Sequence, residues 1–368
     1  MARADIFAHT VEHFLQPILP FLQDETVSEI MINRFDEIYV ERQGRLVRTE
    51  ARFPDEGAFL AAVNNVVQFT GKRLAPEQPL IDSRLPDGSR VHVVMEPLSR
   101  RGTCMDIRKF SKRLYKADEL ERLGTWTSQA RRYIQVCVLA EKNLLVAGGT
   151  SSGKTTLLNV LGSFIPPAQR IVTIEDSAEL ALDQEHVVIL ESRQADRYGK
   201  GAIGIGDLFR SSLRLRPDRI VIGEVRGGEA LQMIQAMTSG HAGSMSTLHA
   251  DTPTDALARL ETLAMMGEVE LPLYALRAQV ASAIDLIVQM VRLNDGRRMV
   301  TQISEVGGLD EQGRYRLADI FASDFADAAV QLRWTGAVSR FAREPRVRQQ
   351  HEAMGAAAPV FQVEGGTP

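Results

Sequence analysis

The chain has 368 residues, 44% of them hydrophobic and 24% charged, with a formal net charge of -4. That length exceeds one comfortable core and points to two domains. With a sequence pI near 6.0 and no global basic field, the composition speaks against a nucleic-acid binder.

In chain order, the apolar spacing of Ile6, Phe7, Val11, Phe14, Leu15 and Ile18 predicts a helix over about Ile6–Leu22. A strand follows over Val27–Asn33, then a hairpin from Ile38 through Leu46 and Val47 that turns at Gln43-Gly44. A helix over about Glu56–Phe69 packs on that sheet, Leu85–Gly88 turns, and Val91–Met95 and Met105–Phe110 supply further strands. Residues 1–110 thus read as a small α+β domain. Residues 111–127 are charged and read as a linker. Over 128–324 strands and helices alternate, the mark of a parallel α/β sheet, with strands at Asn143–Ala147, Arg170–Glu175, Val187–Glu191, Arg219–Glu224, Ser244–His249, Leu286–Val291 and Val300–Val306. Residues 325–368 read as a tail whose end, from Gly355, is mobile. The two cysteines, Cys104 and Cys137, form no CxxC pair, which excludes a four-cysteine zinc site and speaks against a disulfide framework. No apolar run reaches the roughly 18 residues of a membrane-spanning helix. Asp5, Glu12, Pro17 and Pro20 interrupt the apolar stretch a signal peptide needs. A cytoplasmic protein with at most peripheral membrane contact is expected.

The strongest local signal is Gly148-Gly149-Thr150-Ser151-Ser152-Gly153-Lys154-Thr155, a full G-x4-G-K-[ST] match between a strand and an apolar helix that begins at Thr156 and Leu157. Backbone N–H groups of such a loop hold the α- and β-phosphates of ATP, and the glycines allow the close approach. Lys154 would reach the β- and γ-phosphates, and the Thr155 hydroxyl would ligate Mg²⁺.

Other strands end in usable groups, at the edge where open α/β sheets bind ligands. Ile171–Ile174 runs into Glu175, Asp176 and, three residues on, Glu179. Arg219–Gly223 runs into Glu224, a group able to orient or deprotonate water, whereas Gly223 stands where a Walker-B aspartate is usual. Mg²⁺ is then held by Thr155, phosphates and waters, with Asp176 acting through a water. Two of the seven histidines, His241 and His249, lie in the glycine-framed run Gly240–Ala250; a lone histidine there is more often a satisfied core residue.

These four blocks in this order resemble the type II/IV secretion ATPases: a Walker A at Gly148–Thr155, an Asp box at Ile174–Leu180, a Walker B at Gly223–Gly227 and a His box at Gly240–Ala250. Within that superfamily the likeness is greatest to the tight-adherence (Flp, CpaF-type) pilus assembly ATPases, carried by Ser83–Val91, Ile107–Phe110, Leu213–Arg219, Gly223–Ala230 and Ala281–Ile287. The resemblance runs from about residue 17 to 325. The tetracysteine insert of some relatives is absent, the His-box middle, Ala242–Met245, differs from the usual retraction type, and the start reads as late for a CpaF-type chain.

The resemblance implies a RecA-like ATPase domain under a PAS-like N-terminal domain, six such subunits in a ring, and an inner-membrane platform protein as partner, with no nucleic acid and no membrane insertion. It implies catalytic roles for Glu224, Glu175, Glu179 and His249, charge neutralisation by Arg90 and Arg108, and nucleotide contacts from His241, Arg214 and Arg219. Two other readings stay open: a RecA-like nucleic-acid translocase, which DNA-stimulated hydrolysis would reveal, and a non-catalytic ATP-sensing scaffold, which absence of turnover would reveal.

Overall fold

In the computed structural model of the chain the described residues are 10–362, except 12, 111–113, 194, 196–198, 268, 270, 325–329 and 356–358. They fall in two compact units, Met1–Arg113 and Leu114–Pro368.

The first unit is an antiparallel sheet of β1 (Val27–Arg34), β2 (Glu37–Arg42), β3 (Arg45–Arg48), β4 (Leu80–Arg84), β5 (Arg90–Val94) and β6 (Cys104–Arg108), in the order β3-β2-β1-β6-β5-β4. Period-two alternation sends Ile30, Ile32, Val91, Val93, Met105 and Ile107 to the core, where Phe59, Val63, Val66 and Val67 of the helix Glu56–Phe69 cover them. Asp55 caps that helix, its Oδ1 accepting from Ala58 N at 2.7 Å. The β2–β3 turn places Gln43 and Gly44 at φ +49° and +78°, as a two-residue primed turn requires. β4, with three polar residues among its five, has no counterpart in the sequence reading. The helix expected over Ile6–Leu22 lies partly outside the described residues. Its described part is helical at residues 10, 11, 13 and 14 and then gives way, at Pro17 and Pro20, to a 3-10 turn, Gln16–Ile18, and a short helix, Leu19–Gln23, because each proline removes a backbone donor.

The second unit is built on nine strands: β7 (Leu144–Gly148), β8 (Ile171–Glu175), β9 (Val187–Glu191), β10 (Arg219–Ile222), β11 (Met245–Leu248), β12 (Leu286–Arg292), β13 (Arg298–Leu309), β14 (Tyr315–Ser323) and β15 (Leu332–Trp334). The order is β15-β14-β13-β12-β7-β11-β10-β8-β9; β12 through β9 pair in parallel, while β12 through β15 form an antiparallel extension. β7, β8, β10 and β11 are buried on both faces, so β7, β8 and β10 read as largely apolar stretches rather than alternating ones, while β11 buries Ser246 and Thr247 as well. Leu144 and Val146 face a core shared with Tyr133, Leu157 and Leu161. Leu145 and Ala147 face the other, with Leu231, Ile234 and Leu260. Among the described residues no helix is long and apolar enough to cross a membrane.

Two segments differ from expectation. Residues 114–127 carry a helix, Ala117–Arg122, and bury Leu120 and Trp126 in the second unit's core, with Trp126 Nε1 donating to Ala117 O. Two large apolar side chains in a charged stretch are enough to draw it onto the domain. The described part of the tail after Asp324 is also packed: Phe341, Val347, Val360 and Phe361 are buried, and the helix Pro345–Ala353 caps the fold. Residues 356–358 and 363–368 of the expected mobile end lie outside the described residues.

The carboxylate of Glu305, fully buried on β13, holds that tail. It accepts from Tyr133 Oη (2.6 Å), Ser339 Oγ (2.5 Å) and Arg340 N (2.9 Å). Glu305→Leu leaves these donors without an acceptor in a dry interior. It is expected to cost about 3 kcal/mol in urea unfolding of the full chain.

Candidate active site

The phosphate loop leaves β7 at Gly148 and enters the helix Lys154–Gly162. Its backbone passes through two left-handed residues, Ser151 (φ +56°) and Gly153 (φ +96°), a conformation that costs a non-glycine residue about 1 kcal/mol or more. Gly148 is required by crowding: a Cβ there would stand 2.5 Å from Met290 O and 2.6 Å from Ser152 Oγ. Gly149 faces open space, so its hydrogen side chain matters only for approach of a ligand. Ser152 Oγ closes the loop on Gly149 O at 2.9 Å. Lys154 Nζ donates to Gly148 O (3.0 Å) and Gly149 O (2.9 Å), which holds its charge over the loop. Thr155 and Thr156 follow in the helix's first turn.

Glu175 and Glu224 stand at the ends of neighbouring strands, β8 and β10, in different surroundings. Glu175 is 3% exposed. Its carboxylate accepts from the backbone N–H groups of Glu179 (3.0 Å) and Leu180 (3.1 Å), which would lower its pKa, but burial outweighs them and pushes it up to about 7. The glycine in the usual Walker-B aspartate position has a physical reason. A Cβ at Gly223 would lie 2.7 Å from Glu175 Cγ, so the acidic side chain of β8 occupies the space that an aspartate on β10 would need. Glu224 is ion-paired instead: its Oε2 accepts from Arg226 Nε (2.8 Å) and Nη2 (2.5 Å), and Arg226 Nη1 lies 3.7 Å from Asp176 Oδ2. Ser192 Oγ donates to Asp176 Oδ1 at 3.1 Å. Thr247 ties β11 to this turn, its Oγ1 donating to Gly223 O (2.6 Å) and its carbonyl accepting from Val225 N (3.0 Å). The two carboxylates thus differ in environment, one buried with its pKa raised to about 7 and one partly exposed and ion-paired to a guanidinium.

His249 follows Leu248, whose parallel partner is Ala147, so it leaves the sheet beside Gly148 at the start of the phosphate loop. His241 does not join it. It precedes β11, with its N–H on Ala236 O, at the amino edge of the sheet, about 15 Å from the loop by strand length. Arg214 is exposed on the turn before β10, at that same edge. Arg219 is 1% exposed, and its guanidinium donates to Gln169 Oε1, Gly243 O and Val138 O. It is therefore an internal tie and no nucleotide contact, a correction to the sequence reading that burial makes plain. Gly243 is its complement, since a Cβ there would stand 1.7 Å from Arg219 Nη1.

In the first unit Arg90 and Arg108 are direct cross-strand partners, and Arg84 is the partner of Arg90 on the other side. Three arginines thus share one face in a row that ends at Glu29, opposite Arg108.

Residues 12–350 match the type II/IV secretion system protein family. The chain belongs to that family. It is 36% identical over 328 residues to the type IV secretion system protein PtlH of Bordetella pertussis, covering 82% of this chain and 96% of PtlH. It is 32% identical over 321 residues to a putative conjugal transfer protein of Mycobacterium tuberculosis, covering 85% and 90%. Among solved structures, the Legionella pneumophila ATPase DotB is similar in fold at 20% identity, with a TM-score of 0.58 and 82% of each chain covered. So is the pilus retraction motor PilT at 18% identity, with a TM-score of 0.55, covering 94% and 88%. Family and complete phosphate loop together make the chain a secretion ATPase, a nucleotide-driven motor for secretion or pilus assembly.

The sequence reading of this secretion ATPase missed Arg226 and Thr247. Arg226 sits inside the Gly-Glu-Val-Arg-Gly string that located Glu224, so its position was available. What a string cannot supply is that the arginine folds back on the glutamate two residues before it.

Proposed function

We propose that this secretion ATPase is a homohexameric motor of the tight-adherence, CpaF-type kind, working on the cytoplasmic side of the bacterial inner membrane against a platform protein. The observation that carries the mechanism is the filling of the Walker-B place by Glu175 beside Glu224, at the edge of the sheet where the phosphate loop opens. In this reading the loop amides, Lys154 and Thr155 bind the phosphate chain. Glu175, near neutral pKa, accepts the proton of the attacking water, Glu224 orients that water, Glu179 supports Glu175, and His249 reads the γ-phosphate. The hydroxyl of Thr155 and the strand-end carboxylates are hard oxygen donors of the sort Mg²⁺ takes, with Asp176 acting through a water. Bound with the nucleotide, Mg²⁺ supplies neutralisation of phosphate charge. Arg90 and Arg108, direct cross-strand partners, bring positive charge to the phosphates.

Closure of the first unit over the nucleotide is then the stroke, because ATP offers these arginines a charge that ADP largely lacks, and only a differential contact can shift a domain equilibrium. The distance between labels on the two units, measured with a non-hydrolysable ATP analogue, with ADP and without nucleotide, tests this. The expected result is a shorter distance with the analogue in wild-type protein and no change in the Arg90→Ala, Arg108→Ala double variant. One distance in all three wild-type states rejects the stroke.

A further inference from the structure

A second cation stands on the phosphate loop besides Lys154. Parallel pairing carries β12 past the end of β7, with Met290 opposite Gly148, and two further residues lead into a turn that begins β13 at Arg298. That turn is well made: Leu293 N donates to Arg297 O (2.8 Å), Gly296 takes φ +91°, and Arg297 is engaged by Asp295, donating from N (2.9 Å) and Nε (2.6 Å). Arg298 instead turns onto the loop. Its Nε donates to Ser151 O at 2.9 Å, across 147 residues of sequence, and its stem lies so close to Gly153 that a Cβ there would meet Arg298 Cδ at 3.2 Å.

Both contacts fall on the left-handed stretch of the loop, Ser151 to Gly153, whose backbone is the least favourable in isolation. One nitrogen of the guanidinium is thus engaged by the loop's backbone. The other two make no hydrogen bond with the described residues, and the side chain is exposed. A guanidinium whose planar fork presents two donors is the side chain that best matches phosphate oxygens. We propose that Arg298 is a nucleotide-binding residue of this site. Its Nε holds the loop in the phosphate-accepting conformation, and its Nη groups donate to the phosphate chain of the bound nucleoside di- or triphosphate. The β12–β13 hairpin is accordingly part of the nucleotide site, on the side of the loop opposite Glu175 and Glu224, so that Arg298 serves binding and not the attack of water.

This inference rests on the phosphate-loop reading above, and the test separates the two. Full-length wild type, Arg298→Lys, Arg298→Gln and Arg298→Ala are compared by binding of a fluorescent ATP analogue and of ADP with magnesium, by steady-state hydrolysis, and by thermal unfolding without nucleotide. For Arg298→Ala and Arg298→Gln the expected result is dissociation constants for both nucleotides, and KM, raised on the order of tenfold, with kcat within about threefold of wild type. Arg298→Lys, which keeps the charge but loses the fork, should recover part of that loss. The slope of log Kd against log salt should be shallower in Arg298→Gln than in wild type, as loss of one phosphate-facing charge requires. A role confined to folding would lower the unfolding temperature in all three variants and leave the salt slope unchanged, and that result overturns the proposal. So does an unchanged affinity in Arg298→Ala. Failure of wild-type protein to bind either nucleotide would reject the phosphate-loop reading itself.

Discussion

Glu224→Gln is expected to lower ATP hydrolysis at least ~10²-fold while leaving nucleotide affinity close to wild type. The reasoning starts from the turn after β10. The Glu224 carboxylate makes two hydrogen bonds to Arg226 and none to the phosphate loop, whose own contacts run through Ser152, Lys154 and Arg298. Glutamine keeps the volume and one acceptor for Arg226, so the turn keeps its shape. What disappears is the negative charge beside the attacking water. Lys154→Ala should behave in the opposite sense. It removes the donor that bridges Gly148 O and Gly149 O along with the cation, and binding itself should weaken. Parallel measurement of ATP-analogue binding and single-turnover hydrolysis checks both. Wild-type turnover in the Glu224→Gln protein would refute the role given to Glu224.

The second large effect concerns pH. Burial holds the Glu175 carboxyl near pKa 7, against an ordinary value of 4.5, in spite of two backbone N–H donors. A general base must be unprotonated to act, so hydrolysis should fall as pH drops through about 7, approaching tenfold per unit below it, and level off above about 8. The same shift sets a stability trend of the opposite sign. The folded state binds more protons than the unfolded chain between about pH 4.5 and 7, so Glu175 withdraws stability as pH rises through that window. Glu175→Gln should therefore lose about 10²–10⁴-fold in rate, the usual share of a general base, and lose the acidic limb. It should also unfold at a temperature that changes less with pH than wild type. A pH–rate profile of wild type paired with thermal unfolding at several pH values separates the two signs. An acidic limb near pH 4.5 in wild type would show that Glu175 is solvated during turnover and is no base tuned by burial.

The parts that were legible without coordinates are those in which the signal is local. G-x4-G-K-[ST] is a contiguous string because one turn of backbone wraps one phosphate group, so Gly148–Thr155 could be read directly. The buried parallel strands show as apolar runs, since a strand covered on both faces has no polar side to alternate with, and all seven strands read in the second unit are present. Gln43-Gly44 between strands is equally local. The four motif blocks in order carried the family.

What the tertiary structure decided depends on groups brought together from distant strands. Gly223 looked like a missing ligand in the sequence; in the fold it is a space filled by Glu175, 48 residues earlier in the chain and one strand away. His241 and His249 are eight positions apart in one motif, and β11 between them puts one at each edge of the sheet. Arg219, the first residue of the Walker-B strand, is turned inward because three carbonyl oxygens from three segments converge on its guanidinium and meet the cost of burying a charge. Arg298 reaches Ser151 only because β12 pairs with β7. Trp126 and Phe341 likewise turn an apparent linker and an apparent tail into core, since an apolar side chain is buried wherever the fold leaves room for it, whatever the charge of its neighbours. Spacing along the chain identifies groups that act through their own backbone, whereas groups that act through space are set by strand order, and strand order is a property of the packed sheet.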